Sequence, residues 1–119
     1  MSAREACFLI GPGDCVLWAD ASDSPVALPD SRARWEAIWS GRGRLREIAH
    51  SHPVGPLGFS AEDESTMEAL EAGLGRRLRF SVVAPGGMVR RMRGKDRRVD
   101  PEPWWAELLR AVSRMRSSG

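Results

Sequence analysis

The chain has two histidines, and both fall in His50-Ser51-His52-Pro53, followed by Ser60 and Asp63. Written as a pattern this is H-x-H-x(7)-S-x-x-D. On a strand, alternate side chains point to the same face, so the two imidazoles would project together. Zinc takes imidazole nitrogen and carboxylate oxygen in tetrahedral geometry, and a catalytic zinc keeps one position for water. His50, His52 and Asp63 would supply three ligands and leave the fourth position open. That is the arrangement of a hydrolytic site and not of a closed structural one. The competing reading of two histidines at this spacing is a surface or core pair with no metal, and taken alone it is the better one.

Placing these side chains falls to the elements on either side. Leu45 to Ser51 reads as a strand, with Arg46, Ile48, His50 and His52 as its inward set and Leu45, Glu47 and Ala49 as its outward set. Strand parity thus sets Glu47 opposite the histidines and makes it a poor candidate for work at a metal. Proline and glycine between Pro53 and Gly58 exclude regular structure there. Ser60 starts a helix that runs to about Leu74, with Met67, Leu70 and Leu74 as its apolar stripe. Ser60-Ala61-Glu62-Asp63 also has the form of a capping box, in which serine and an acid three residues on satisfy free backbone N–H groups. The two readings are compatible, since a carboxylate in the first helical turn can face a nearby metal.

Upstream, residues 6–10 and 15–19 are short apolar runs joined by Gly11-Pro12-Gly13-Asp14, which predicts a β-hairpin. Residues 20–29 form a polar connection. A helix follows over 31–40, capped by Asp30 or Ser31 and stopped at Gly41, with Trp35, Ile38 and Trp39 packed on a sheet. Downstream, 78–84 is a largely buried strand, Pro85-Gly86-Gly87 a turn, and 88–93 an edge strand with one wet face. Residues 94–101 read as a charged loop. A last helix starts near Glu102-Pro103 with Trp104, Leu108, Val112 and Met115 as its stripe, and Ser117 to Gly119 fray. The order predicts an α/β fold, a mixed central sheet flanked by helices, in one domain over residues 1–119.

A net charge of +2 does not by itself imply a nucleic-acid partner. The basic run from Arg90 to Arg98 reads as a solvated face. Cys7 and Cys15 cannot build a disulfide framework; their strand context predicts buried thiols in a reducing, cytoplasmic compartment. No apolar run approaches the roughly 20 residues of a membrane helix. Arg4 and Glu5 directly before a short apolar stretch predict no signal peptide, hence a soluble, unprocessed protein.

His50-Ser51-His52-Pro53 through Ser60-Ala61-Glu62-Asp63 resembles the signature of the JAMM (MPN+) metalloproteases. Glu5-Ala6-Cys7-Phe8-Leu9-Ile10-Gly11 is similar to the family's upstream glutamate motif, E-x-C-G-x-L-x-G, with Phe8 where the family has glycine. The resemblance extends from about Glu5 to about Gly87. It implies a JAMM/MPN-like, cytidine deaminase-like architecture, with His50, His52 and Asp63 as zinc ligands. It also implies Glu5 as the proton-transferring carboxylate and Ser60 as a donor to the oxyanion. The implied reaction is hydrolysis of an isopeptide or peptide bond after the C-terminal tail of a ubiquitin-like or sulfur-carrier β-grasp protein.

Two other classes compete. A DNA-associated protein of the RadC type carries a similar H-x-H-P and S-x-x-D pattern, and Arg90 to Arg98 would contact its phosphates. The absence of interleaved aromatics there and of a helix-hairpin-helix module speaks against it. A catalytically silent MPN scaffold is disfavoured because the ligand residues are kept.

Overall fold

The computed structural model describes residues 2–115, so the frayed end expected over Ser117–Gly119 lies outside the described residues. Within them the chain forms a compact α/β domain with a six-stranded mixed sheet and three α-helices. β1 (Ala6–Ile10) and β2 (Val16–Ala21) form the expected hairpin, closed by a short helical turn over Pro12–Asp14. Gly13 and Asp14 there take positive φ of 68° and 59°, the backbone region glycine adopts without steric cost. α1 (Arg32–Ser40) precedes β3 (Glu47–Ser51), and α2 (Ala61–Leu74) carries the chain across to β4 (Arg79–Ala84), which pairs parallel to β3. β5 (Gly87–Met92) and β6 (Lys95–Arg98) complete the order β2-β1-β3-β4-β5-β6, and α3 (Trp105–Val112) closes the fold.

Both faces of the central strands are covered, so β1 is apolar and buried along its whole length. Phe8, Ile10, Ala49, Val83 and Met88 face Trp105, Ala106 and Leu109 of α3. Cys7, Leu9, Ile48 and Phe80 face Ile38 of α1 with Met67 and Leu70 of α2. At about 25 cal/mol per Å2 of apolar area, this two-sided burial is the main force holding the strands in register.

Several expectations need correction. The charged loop after residue 93 contains β6, so β5 is not the edge strand. A turn at Arg93 and Gly94, with φ of 52° and 76°, folds the chain back in a tight hairpin. β6 consists of Lys95, Asp96, Arg97 and Arg98, all exposed, which suits an edge that must not pair with other chains. Trp35 and Trp39 do not pack in the core: only Ile38 of α1 is buried, while Trp39 stacks beneath the Arg42 guanidinium at 4.0 Å. The buried set of α3 is Trp105, Ala106 and Leu109, with Trp104 and Leu108 exposed, one residue (~100° of helix) round from the expected stripe. Cys7 is buried but Cys15 is exposed. Leu45, Glu47 and Ala49, expected to face outward, are all buried, with α3 packed over Ala49 and Arg90 paired with Glu47, while Arg46 is exposed; Glu47 does lie opposite the histidines.

Candidate metal centre

His50 is the penultimate residue of β3, and its Cα partner across the ladder is Cys7 of β1. His52 follows the strand, but its N–H still donates to the Val83 carbonyl of β4 at 2.9 Å, so the ladder geometry extends through it. Period-2 alternation then brings both rings to the α1/α2 side of the sheet. The Pro53–Gly58 loop delivers Ser60 as the N-cap of α2. The Ser60 Oγ accepts from the Asp63 N–H at 3.1 Å, and Asp63 Oδ2 accepts from the Ser60 N–H at 2.8 Å. Capping box and site are thus one device: the reciprocal bonds fix the Asp63 carboxylate against the two imidazoles.

His50 Nε2 lies 3.0 Å from His52 Nε2 and 3.2 Å from Asp63 Oδ1, and His52 Nε2 lies 3.3 Å from Asp63 Oδ2. Ligand atoms held about 2.1 Å from one tetrahedral ion would stand roughly 3.4 Å apart, and each of these contacts, which between them use both carboxylate oxygens, is near that spacing. His52 Nδ1 lies 3.0 Å from the Pro56 carbonyl oxygen. A carbonyl can only accept, so Nδ1 carries the hydrogen and the Nε2 lone pair is left for the ion, the usual orienting contact behind a ligating imidazole. His50, His52 and Asp63 could therefore hold a metal ion, and two nitrogens with one carboxylate oxygen suit zinc and its first-row neighbours.

With no ion bound, the imidazoles can instead protonate and donate to Asp63: burial works against the charge on that carboxyl, but hydrogen bonds from His50 and His52 outweigh it and hold it well below the usual range. Burial also opposes the charge on His52; Asp63 and the Pro56 carbonyl more than offset that and raise its pKa. Asp63 is thus held as a carboxylate beside the two imidazoles.

Glu5, immediately before β1, is 7% exposed and lines the same cavity as the three ligand residues and Ser60. The cavity, about 380 Å3, runs between the 25–30 segment, α1 and the start of α2. Burial pushes the Glu5 carboxyl above its ordinary value of 4.5, and His52 and His50 only partly oppose this. Because the folded state then holds the Glu5 proton more tightly than the unfolded chain, folding stability falls as pH rises from 4.5 through the raised value. Glu5→Gln should abolish that component. Urea titrations of the metal-free proteins should show the parent losing stability relative to Glu5→Gln across that window, and parallel curves would contradict the burial of Glu5.

The structure brings all five sequence candidates, His50, His52, Asp63, Glu5 and Ser60, to one cavity wall. Two parts of the site were not foreseen. The Pro56 carbonyl that orients His52 has no side-chain signature. Arg34, also on the cavity wall, is held by Asp20 at 2.7 Å across the gap from α1 to β2. No protein-family model matches the chain, and no curated protein matches it.

Proposed function

We propose that the protein is a zinc-dependent isopeptidase or peptidase of the JAMM/MPN type, acting after the C-terminal tail of a ubiquitin-like or sulfur-carrier β-grasp protein. The observation that carries this is the convergence of two histidines and an aspartate with a separate buried glutamate on one cavity. A purely structural metal site has four protein ligands and no need of a nearby free carboxylate. Zinc bound by His50, His52 and Asp63 would supply Lewis acidity to a scissile carbonyl and to water. Glu5 accepts the proton that water loses and returns it to the leaving amine, a role its raised pKa suits. The Ser60 Oγ is already an acceptor from Asp63 N–H, so its own hydrogen is free to be donated to the developing oxyanion. Such a donor contributes about 3 kcal/mol. The cavity beside the ligands offers room for an extended tail. Two free cysteines, one exposed, fit a reducing cytoplasm, and among the described residues no helix is long and apolar enough to cross a membrane.

Protein purified without chelators should contain about one zinc per chain, and His52→Ala should contain none and melt lower, because binding to the folded state alone adds stability. Metal analysis with no zinc in the parent would remove the basis of the reading. The function itself is tested on a linear fusion of a ubiquitin-like protein to a reporter. Cleavage after the tail should stop with chelator and return with zinc; no cleavage of any such fusion would overturn it.

Part of the basic run is already engaged within the fold. Arg90 holds Glu47, Arg91 holds Glu64 and Asp96, and Arg98 donates to the Gly86 carbonyl. Duplex DNA should therefore bind weakly and with a steep salt dependence. Tight, sequence-selective binding at physiological salt would favour the RadC-type alternative.

A further inference from the structure

The Glu5 side chain leaves the backbone before the first ladder pairs, since β1 begins to pair with β2 at Ala6 and with β3 at Cys7. Its direction is therefore set by whatever holds residues 4–6. On one side the 22–24 segment does so: the Glu5 N–H donates to the Ser24 carbonyl at 2.8 Å, and the Ser22 N–H donates to the Glu5 carbonyl at 2.9 Å. On the other side two serine hydroxyls form a relay. The Ala6 N–H donates to Ser51 Oγ at 2.8 Å, Ser51 Oγ donates to Ser113 Oγ at 2.9 Å, and Ser113 Oγ donates to the Arg4 carbonyl. Each hydroxyl has one hydrogen, so the relay runs in a single direction and both hydrogens are used. The Arg4 N–H and Nε–H donate to the carbonyls of Ser113 and Val112, each at 3.0 Å, which ties the same segment to the end of α3.

Ser51 and Ser113 are both fully buried. A buried hydroxyl is costly unless bonded, and alanine at position 51 or 113 would take the partner from the Ala6 N–H or from the Arg4 carbonyl. What the two hydroxyls supply is a fixed distance between three elements. Ser51 sits between His50 and His52 and points to the opposite face of β3, so it reaches Ala6 without touching the metal side. The relay thus links the strand that carries the histidines to the peptide that carries Glu5.

We infer that Ser51 and Ser113 are positioning residues for Glu5, holding its carboxylate in register with the His50–His52 pair. The catalytic consequence rests on the zinc-hydrolase reading; the clamp itself does not. A displacement of about 1 Å in a catalytic group can cost roughly 100-fold in rate.

The test uses Ser51→Ala and Ser113→Ala, with Ser81→Ala as control. Ser81 is also buried, donates to Glu47, and has no bond to residues 4–6. All three variants are loaded with zinc and assayed well below their melting temperatures. Both relay variants should bind the parent's amount of zinc, show faster amide exchange at Ala6 by about tenfold or more, and leave Leu9 and Ile48 unchanged. On a cleavable fusion their kcat should fall roughly 10- to 100-fold with KM within about twofold of the parent. In a Glu5→Gln background the same substitutions should cost almost nothing further, because they act through the missing carboxylate. Ser81→Ala should keep both the Ala6 protection and kcat. Unchanged exchange at Ala6 overturns the clamp, whatever the activity. A rate loss that persists in full alongside Glu5→Gln, or no loss in an active parent, overturns the positioning of Glu5. If the parent cleaves no fusion, the hydrolase reading falls and the exchange result still decides the clamp.

Discussion

Glu5→Gln should keep its zinc and its fold and lose hydrolysis by roughly 100- to 10,000-fold in kcat, the range that general acid–base catalysis supplies. Glutamine has nearly the same shape, and the backbone bonds of residues 4–6 do not involve the side chain. Ligands and cap are untouched, because His50, His52 and Asp63 are held by β3 and by the start of α2. What is lost is a group that can take a proton and return it. Stability of the metal-free protein should not fall, since burial disfavours the ionised Glu5. Glu36→Gln is the control: Glu36 is mostly exposed and, among the described residues, its ion pair is with Arg32 of its own helix. Zinc content, melting temperature and kcat on a linear fusion decide the outcome. Parent-like cleavage by Glu5→Gln would move the base to another carboxylate on the cavity wall, and Glu62 would be next to test.

The centre was legible in the sequence because its geometry is local. Two histidines at i and i+2 need only strand parity to share a face, and Ser60 to Asp63 needs only a helix start to form its reciprocal bonds. Glu5 could not be placed this way: no periodicity connects it to residue 50, and only the family resemblance marked it. The errors arose where two registers or two faces were equally consistent with the letters. In Trp104-Trp105-Ala106-Glu107-Leu108-Leu109, apolar residues four apart can be counted from either tryptophan. Bonds from Trp104 and Trp105 to the backbone and side chain of Asp14, made across the fold, accompany the observed choice. β6 has no apolar residue and gave no strand signal; its pairing with β5 fixes it. Trp35 and Trp39 looked like core because large apolar residues on an amphipathic helix are usually buried. Here a cavity lies beside α1 where the core was expected, and Trp35 lines it.

Glu47→Ala should be the most destabilising single substitution near the centre, and it should leave the metal alone. Strand parity places Glu47 opposite the histidines but does not say whether that side is wet or dry. It is dry, and the carboxylate is held there by Ser81 Oγ, by Arg90 Nε at 2.9 Å and by Arg79 at 3.6 Å. Removing one partner of a buried ion pair leaves the other uncompensated, at a cost of about 3 kcal/mol or more. Arg79 and Arg90 are partly exposed and would recover some hydration, so the lower end of that range applies. For a domain of this size about 3 kcal/mol lowers the melting temperature by roughly 10 °C. Glu47→Gln keeps an acceptor for Ser81 and Arg90 and should cost less. Glu47→Leu combined with Arg90→Met should recover most of the loss, because a well-packed apolar pair often replaces a buried ion pair without penalty. Urea denaturation measures the stability and metal analysis the occupancy. Loss of zinc from Glu47→Ala at unchanged stability would mean that this carboxylate serves the metal. That outcome would require β3 to present its residues in the opposite sense, with His50 turned towards α3.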